Sequence, residues 1–99
     1  MTYLESLNIC LRKALETNPD VILLGEDLMD PYGGAFKVTR GLQRDFPDRV
    51  LTTPISEAAL AGVANGMALR GMRPVLEIMF GDFMGICMDQ ILNHASKFR

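Results

Sequence analysis

The sequence predicts an α/β domain with a parallel sheet and helices on both faces, and three observations carry that reading. Helical patterns alternate with short aliphatic runs in the order α-β-(α)-β-α-β-α, the alternation that crossover-connected parallel strands produce. The run Val21-Ile22-Leu23-Leu24 has no polar side chain, so it suits a strand covered on both faces. The 99 residues fit one domain, and hydrophobic residues at 48% supply its core.

The elements follow in order. Residues 3–17 read as a helix, with Leu4, Leu7, Leu11, Ala14 and Leu15 on one face. Thr2 and Glu5 have capping-box spacing, and Asn18-Pro19-Asp20 stops the helix. Val21 to Leu24 is the first strand. Residues 25–35 form an acidic, glycine-containing loop, and 36–45 make a short helix that ends before Pro47. Arg49-Val50-Leu51-Thr52 is a second strand. Ser56 caps a helix over 57–70 whose middle is almost wholly apolar, which predicts burial. Ala58, Gly62 and Gly66 are four apart on that helix and leave room for a close neighbour. Each glycine there costs about 1 kcal/mol of helix propensity, so close packing is the expected return. Gly71 ends the helix. Residues 74–79 form a third strand with Pro74 at its first position, where no donor is required. Asp82 caps a last helix over 83–97.

Two features indicate an incomplete domain. The chain stops at Lys97-Phe98-Arg99 directly after a helix, and a sheet of three parallel strands leaves its edges open. The domain assignment is residues 1–99 as an N-terminal portion.

Composition excludes several function classes. Net charge is −2, and the basic residues Lys13, Lys37, Arg40, Arg44, Lys97 and Arg99 are scattered among acids. Nucleic-acid binding needs a concentrated basic field. The two cysteines, Cys10 and Cys87, sit in apolar helical patterns without a CxxC or Cys/His cluster, so both read as buried free thiols and no metal site is expected. The N-terminus lacks a signal-peptide pattern, and no uncharged apolar run approaches the roughly 18 residues of a membrane span. The cytosol is the default location; a mitochondrial matrix protein stripped of its transit peptide would read the same.

Ligands of open parallel sheets bind beyond the carboxyl ends of the strands. That rule selects Glu26 and Asp27 after the first strand. It selects Thr52, Thr53 and Glu57 after the second, and Met79, Phe80, Asp82 and Phe83 after the third. Carboxylates, a thioether and aromatics meeting on one rim suit a flat heteroaromatic ligand that needs a proton donor. A solvated turn at Glu26 and Asp27, a first-turn helix glutamate at 57 and a core aromatic at 83 are the bland alternatives. Glu77 reads as structural, and His94, the sole histidine, as a surface or structural residue.

Five ordered segments carry a family resemblance: Leu24-Gly25-Glu26-Asp27, residues 32–42, Thr53-Pro54-Ile55-Ser56-Glu57, residues 71–83, and Asp89-Gln90-Ile91. Together they resemble the β subunit of thiamine-diphosphate-dependent 2-oxoacid dehydrogenases of the pyruvate, branched-chain and acetoin types. The likeness covers nearly the whole chain. It corresponds to the first part of the transketolase-like pyrimidine-binding domain.

The resemblance implies that thiamine diphosphate lies between two chains, with its aminopyrimidine ring held here. Glu57 looks like the family's catalytic glutamate, which hydrogen-bonds the ring nitrogen N1′ and favours the iminopyrimidine tautomer. Phe83 looks like the aromatic that stacks on the ring. Met79 would line the same pocket, and Glu26 matches an acidic position near it. Diphosphate and Mg²⁺ would be held by a Gly-Asp-Gly motif on the partner, and Gly81-Asp82-Phe83 is no substitute for one. The implied partners are a dehydrogenase α subunit, a second β subunit and a lipoyl acyltransferase component. By the same resemblance, this chain alone neither grips the cofactor tightly nor turns over substrate. A transketolase or deoxyxylulose-phosphate synthase fragment, and a truncated non-catalytic interaction module, are the competing readings. At Glu57 the helix dipole favours the anion while burial favours the neutral acid, and the sequence leaves that contest open.

Overall fold

In chain order, the computed structural model contains α1 (Tyr3–Thr17), β1 (Val21–Glu26), α2 (Leu42–Asp45), β2 (Val50–Thr53), α3 (Glu57–Leu69) and β3 (Arg73–Glu77). A 3₁₀ turn (Gly81–Phe83), α4 (Met84–Asp89) and a π-helical stretch (Gln90–Ala95) follow. The structure describes residues 1–98; Arg99, the last of the scattered basic residues, lies outside them.

The sheet is parallel throughout, in the order β2-β1-β3. β1 is therefore central, and all six of its residues are buried. The connection from β1 to β2 steps one way, and that from β2 to β3 steps back across β1. Right-handed crossovers in opposite directions put α2 and α3 on opposite faces. The core on the first face joins Leu15 of α1, Val21 and Leu23 of β1, Leu28, Leu42 of α2 and Val50 of β2. Fully burying each of these leucines contributes about 1.5–3 kcal/mol. Ile22 and Leu24 alternate to the other face and are also buried, which explains the unbroken aliphatic run.

Several elements differ from the sequence expectation. β1 continues through Gly25 and Glu26 because both flanking strands keep pairing with it: Gly25 faces Thr52 and Glu77, and Glu26 faces Thr53. Only Leu42–Asp45 of the expected helix 36–45 is helical. Positive φ at Lys37 (65°) and Gly41 (83°) breaks the helix before it can start. The short helix is capped from a distance: the Asp30 carboxylate accepts from the Gly41 and Arg44 amides at 2.6 and 2.7 Å. The expected helix 83–97 changes its winding twice. Asp82 lies within the 3₁₀ turn and caps nothing. Ser56 holds the N-cap position of α3, but its side chain makes no capping bond.

Burial also departs from expectation. On α1, only Leu15 is buried, while Leu4 and Leu7 are exposed. Cys10 is exposed too, whereas Cys87 is buried, and both are free thiols. Cys10 points away because α1 touches the sheet only through its C-terminal half. α3 buries only Leu60 and Ala61, so an apolar composition did not make it a buried helix. Of its small residues, Gly62 has a close neighbour, Gln90, whose Oε1 would lie 3.2 Å from an added Cβ; Gly66 faces open space. No helix among the described residues is long and apolar enough to cross a membrane.

The capping box at Thr2 forms as expected: the Glu5 amide donates to Thr2 Oγ1 at 3.1 Å and the Thr2 amide to Glu5 Oε2 at 2.7 Å. The other end of α1 has no basic residue in its last turn. Arg49, immediately before β2, supplies the missing cation. Its guanidinium donates to the carbonyls of Leu15, Asn18 (2.9 Å) and Val21 (3.3 Å) and lies over the Phe46 ring. One side chain thus satisfies helix-end carbonyls that α1 cannot satisfy itself. Arg49→Ala should lower stability by about 1.5–3 kcal/mol, the range for hydrogen bonds to a charged donor. Arg49→Lys should recover only part of that, since an ammonium lacks the planar fork. Urea unfolding measures both, and an unshifted midpoint in the alanine variant would show the guanidinium to be dispensable.

Candidate functional site

The connection that leaves β1 steps out to β2 and the one that leaves β2 steps back across β1 to β3, so the chain reverses direction over the carboxyl ends of the strands, where parallel sheets bind ligands. Glu26 ends β1 there. Its side chain lies on the α3 face of the sheet, opposite Gly25 and Glu77, because neighbouring residues of a strand alternate. Glu26 is 6% exposed, and its Oε1 has no hydrogen-bond partner. Thr53, its register partner on β2, also carries a buried hydroxyl without a partner. Two unsatisfied polar atoms therefore sit side by side. Each such atom costs about 1–3 kcal/mol when nothing meets it.

Burial pushes the Glu26 carboxyl above its ordinary value, and the nearby charges of Glu57 and Asp27 push the same way. The Ser56 backbone N–H opposes them. Glu57 is the first residue of α3 and is half-buried. Its backbone carbonyl accepts from the buried Cys87 Sγ at 3.4 Å. Burial raises the Cys87 thiol's pKa, as do Glu57 and Glu26, so the thiol lies close to both acids.

Cys87 follows Phe83 by four residues, one helical turn, which brings Phe83 to the same side of the site. Phe83 is half-buried and meets Phe80 edge-on, with centroids 5.5 Å apart. Phe80 in turn meets Phe36 at 5.3 Å, again edge-on. The aromatic wall is thus three rings long and reaches back to the loop after β1. Met79 lies in the link between β3 and the 3₁₀ turn and is half-buried.

The structure brings Glu26, Glu57 and Phe83 to one end of the sheet through Cys87 and the strand register. Sequence reasoning missed Cys87 and Phe36 as parts of this arrangement, and named Thr53 without a role. Cys87 is four residues from an aromatic already singled out, a spacing that marks a shared helical face. Nothing local marks Phe36. His94 lies apart, stacked on Phe98 at 4.9 Å. Among the described residues, no three His, Cys, Asp or Glu side chains gather into a metal site.

A groove of about 720 Å³ lies elsewhere, between α1 and residues 36–40. It contains neither Glu26 nor Glu57. Volume alone does not select the site here; the unsatisfied acid and the aromatic wall are the stronger guide.

The sequence profile of the family described as "Transketolase, pyrimidine binding domain" matches residues 1–99. The chain belongs to that family. As a pyrimidine-binding domain it has curated relatives among β subunits. It is 46% identical over 103 residues to the acetoin:2,6-dichlorophenolindophenol oxidoreductase subunit beta of Cupriavidus necator, covering 95% of this chain and 30% of that one. It is 41% identical to the 2-oxoisovalerate dehydrogenase subunit beta of Bacillus subtilis, covering 100% and 30%. It is 48% identical to the pyruvate dehydrogenase E1 component subunit beta of Leifsonia xyli, covering 94% and 28%. The chain spans less than a third of the length of these relatives.

In this pyrimidine-binding domain the raised Glu26 carboxyl has a stability consequence. A native pKa above the unfolded value of about 4.5 means the folded state binds the extra proton. Stability is unpenalised below that value, falls as pH rises from there through the native pKa, and stays reduced above it. Glu26→Gln removes the titration. Its stability relative to the parent should therefore be greater at pH 7 than at pH 4, measured by urea unfolding at both. A pH-independent difference would remove the case for a perturbed acid.

Proposed function

We propose that this chain is the first part of the β subunit of a thiamine-diphosphate-dependent 2-oxoacid dehydrogenase, where it holds and activates the cofactor's aminopyrimidine. The observation that carries the reading is the pairing of a buried Glu26 carboxyl, one oxygen of which has no partner, with Glu57 at the start of α3, beside the Phe83 wall. An aminopyrimidine offers what these residues lack: ring nitrogens for the acids and a flat face for the aromatic. The residues fit the group.

In this reading Glu57 holds a proton at the ring nitrogen and Phe83 covers the ring face. Met79 lines the pocket. Glu26, whose carboxyl burial pushes above its ordinary value, sets the electrostatics around Glu57, and the buried Cys87 thiol fixes the backbone from which Glu57 projects. When bound, thiamine diphosphate supplies the carbanion chemistry by which a 2-oxoacid loses carbon dioxide. The diphosphate and its Mg²⁺ belong to a partner chain, which the relatives' designation as β subunits supports.

The relatives also support the dehydrogenase type over a transketolase or deoxyxylulose-phosphate synthase. Their names span two 2-oxoacids, 2-oxoisovalerate and pyruvate, and the hydroxyketone acetoin at similar identity, so the proposal goes no further than a 2-oxoacid, with an α-hydroxyketone as the other substrate class. Ile55, Val63, Ile86 and Leu92, on or beside α3 and the last helical segments, are each at least half exposed. The relatives' designation as β subunits supports assembly with an α subunit; a second β subunit and a lipoyl acyltransferase that takes the acyl group complete the proposed assembly. The proposed location is the cytosol, or the mitochondrial matrix in a eukaryote.

The test uses the whole β chain assembled with its α partner. Glu57→Gln should reduce turnover on the order of 10²- to 10⁴-fold, the usual worth of a positioned proton donor. Turnover within a few-fold of the parent would rule the assignment out.

A further inference from the structure

Glu77 lies on the sheet face opposite Glu26 and was read from sequence as merely structural. Its side chain is half-buried, and its Oε2 is buried without a hydrogen-bond partner. Two glycines make room for this residue. A Cβ on Gly25 would lie 3.1 Å from the Glu77 carbonyl oxygen and 3.2 Å from its Cβ. Gly25 has no left-handed φ, so space, not backbone conformation, calls for glycine there. A Cβ on Gly34 would lie 3.0 Å from both carboxyl oxygens. The carboxyl is thus seated directly against the Gly33–Gly34 turn.

That turn is held firmly. The Gly34 amide donates to the Asp27 carbonyl at 2.7 Å, and the Thr39 amide to Gly33 at 3.1 Å. A Cβ on Gly33 would come within 2.6 Å of the Arg40 backbone. Two residues after Gly34 comes Phe36, the ring that abuts Phe80, which abuts Phe83. The side chain of Glu77 therefore supports one end of a chain of contacts whose other end is the wall of the proposed cofactor site. An unpartnered carboxyl is a costly wedge, and a site that depends on its position gives a reason for keeping one.

We propose that Glu77 is a positioning residue: wedged between Gly25 and Gly34, it sets the height of the Gly33–Gly34 turn and, through Phe36 and Phe80, the placement of Phe83 against the cofactor pyrimidine. This rests on the functional reading above. Phe83 touches the ring in that reading; Glu77 acts only through it.

The test measures thiamine diphosphate binding by calorimetry, and melting of the cofactor-free protein, in the assembled α/β enzyme. Glu77→Ala should raise Kd about tenfold, which is about 1.4 kcal/mol. Glu77→Gln keeps the shape and should restore Kd to within about twofold of the parent. Phe36→Ala should raise Kd comparably, and the double variant Glu77→Ala/Phe36→Ala should exceed neither single change, because both break one line of contacts. A parental Kd in Glu77→Ala, additive effects in the double variant, or a lowered melting temperature with unchanged Kd would each overturn the proposal. If Glu77→Ala does not assemble, Phe36→Ala decides: its ring is half exposed, and a parental Kd there overturns the relay. A parental Kd in Glu77→Ala beside an inactive Glu57→Gln defeats only the positioning role. A parent that fails to bind thiamine diphosphate defeats the functional reading itself.

Discussion

Glu26 sits where the central strand leaves the sheet, and no described side chain offers it a counter-charge. Burial and two neighbouring acids all act on it in one direction, against a single backbone amide. That imbalance follows from the strand order. Because β1 is flanked on both sides, its last residue stays inside the layered structure, where an edge strand's would meet water. The register then places Thr53 beside it and sends Gly25 and Glu77 to the opposite face. The unsatisfied atoms at this end of the sheet are consequences of one topological choice.

The rest of the fold anchors that choice. β1 is the longest strand, and the core leucines of α1 and α2 close on its odd-numbered face. Polar side chains distant in sequence finish what local capping leaves undone. Arg49 closes the end of α1, Asp30 caps α2, and Asn8 donates to the carbonyls of Val38 and Arg40 at 2.7 and 3.0 Å. The last of these clamps the loop that carries Phe36. On the other face, Asn65 of α3 donates to the Gln90 carbonyl at 2.9 Å, holding α3 to the winding that follows α4. The two faces of the sheet therefore converge on the site from different directions. One brings the aromatic loop and Glu77, and the other brings Glu57 and Cys87.

A helix-start glutamate and a strand-end glutamate play different electrostatic parts here. The acid on the strand is buried and its carboxyl is pushed above the ordinary value, while the one on the helix is half-buried beside it.

The sequence by itself determined the class of fold, the central buried strand and the residues that reach the carboxyl ends of the strands. Local patterning is enough for these, since an aliphatic run of that length has few other uses and the chain must leave each strand at its end. The capping box and the stop at Gly71 were legible for the same reason. Tertiary structure alone decided which acid is desolvated, that Cys10 faces outward, and that only four residues of 36–45 are helical. It also decided that α3 is half-exposed despite its apolar composition, and that Glu77 is wedged against Gly34. Each of these depends on what lies across the sheet from a residue, or on a distant partner such as Arg49 or Asp30. A one-dimensional pattern records which side chains a segment carries, and the free energy of a carboxyl or a helix end is set by what folding brings next to it.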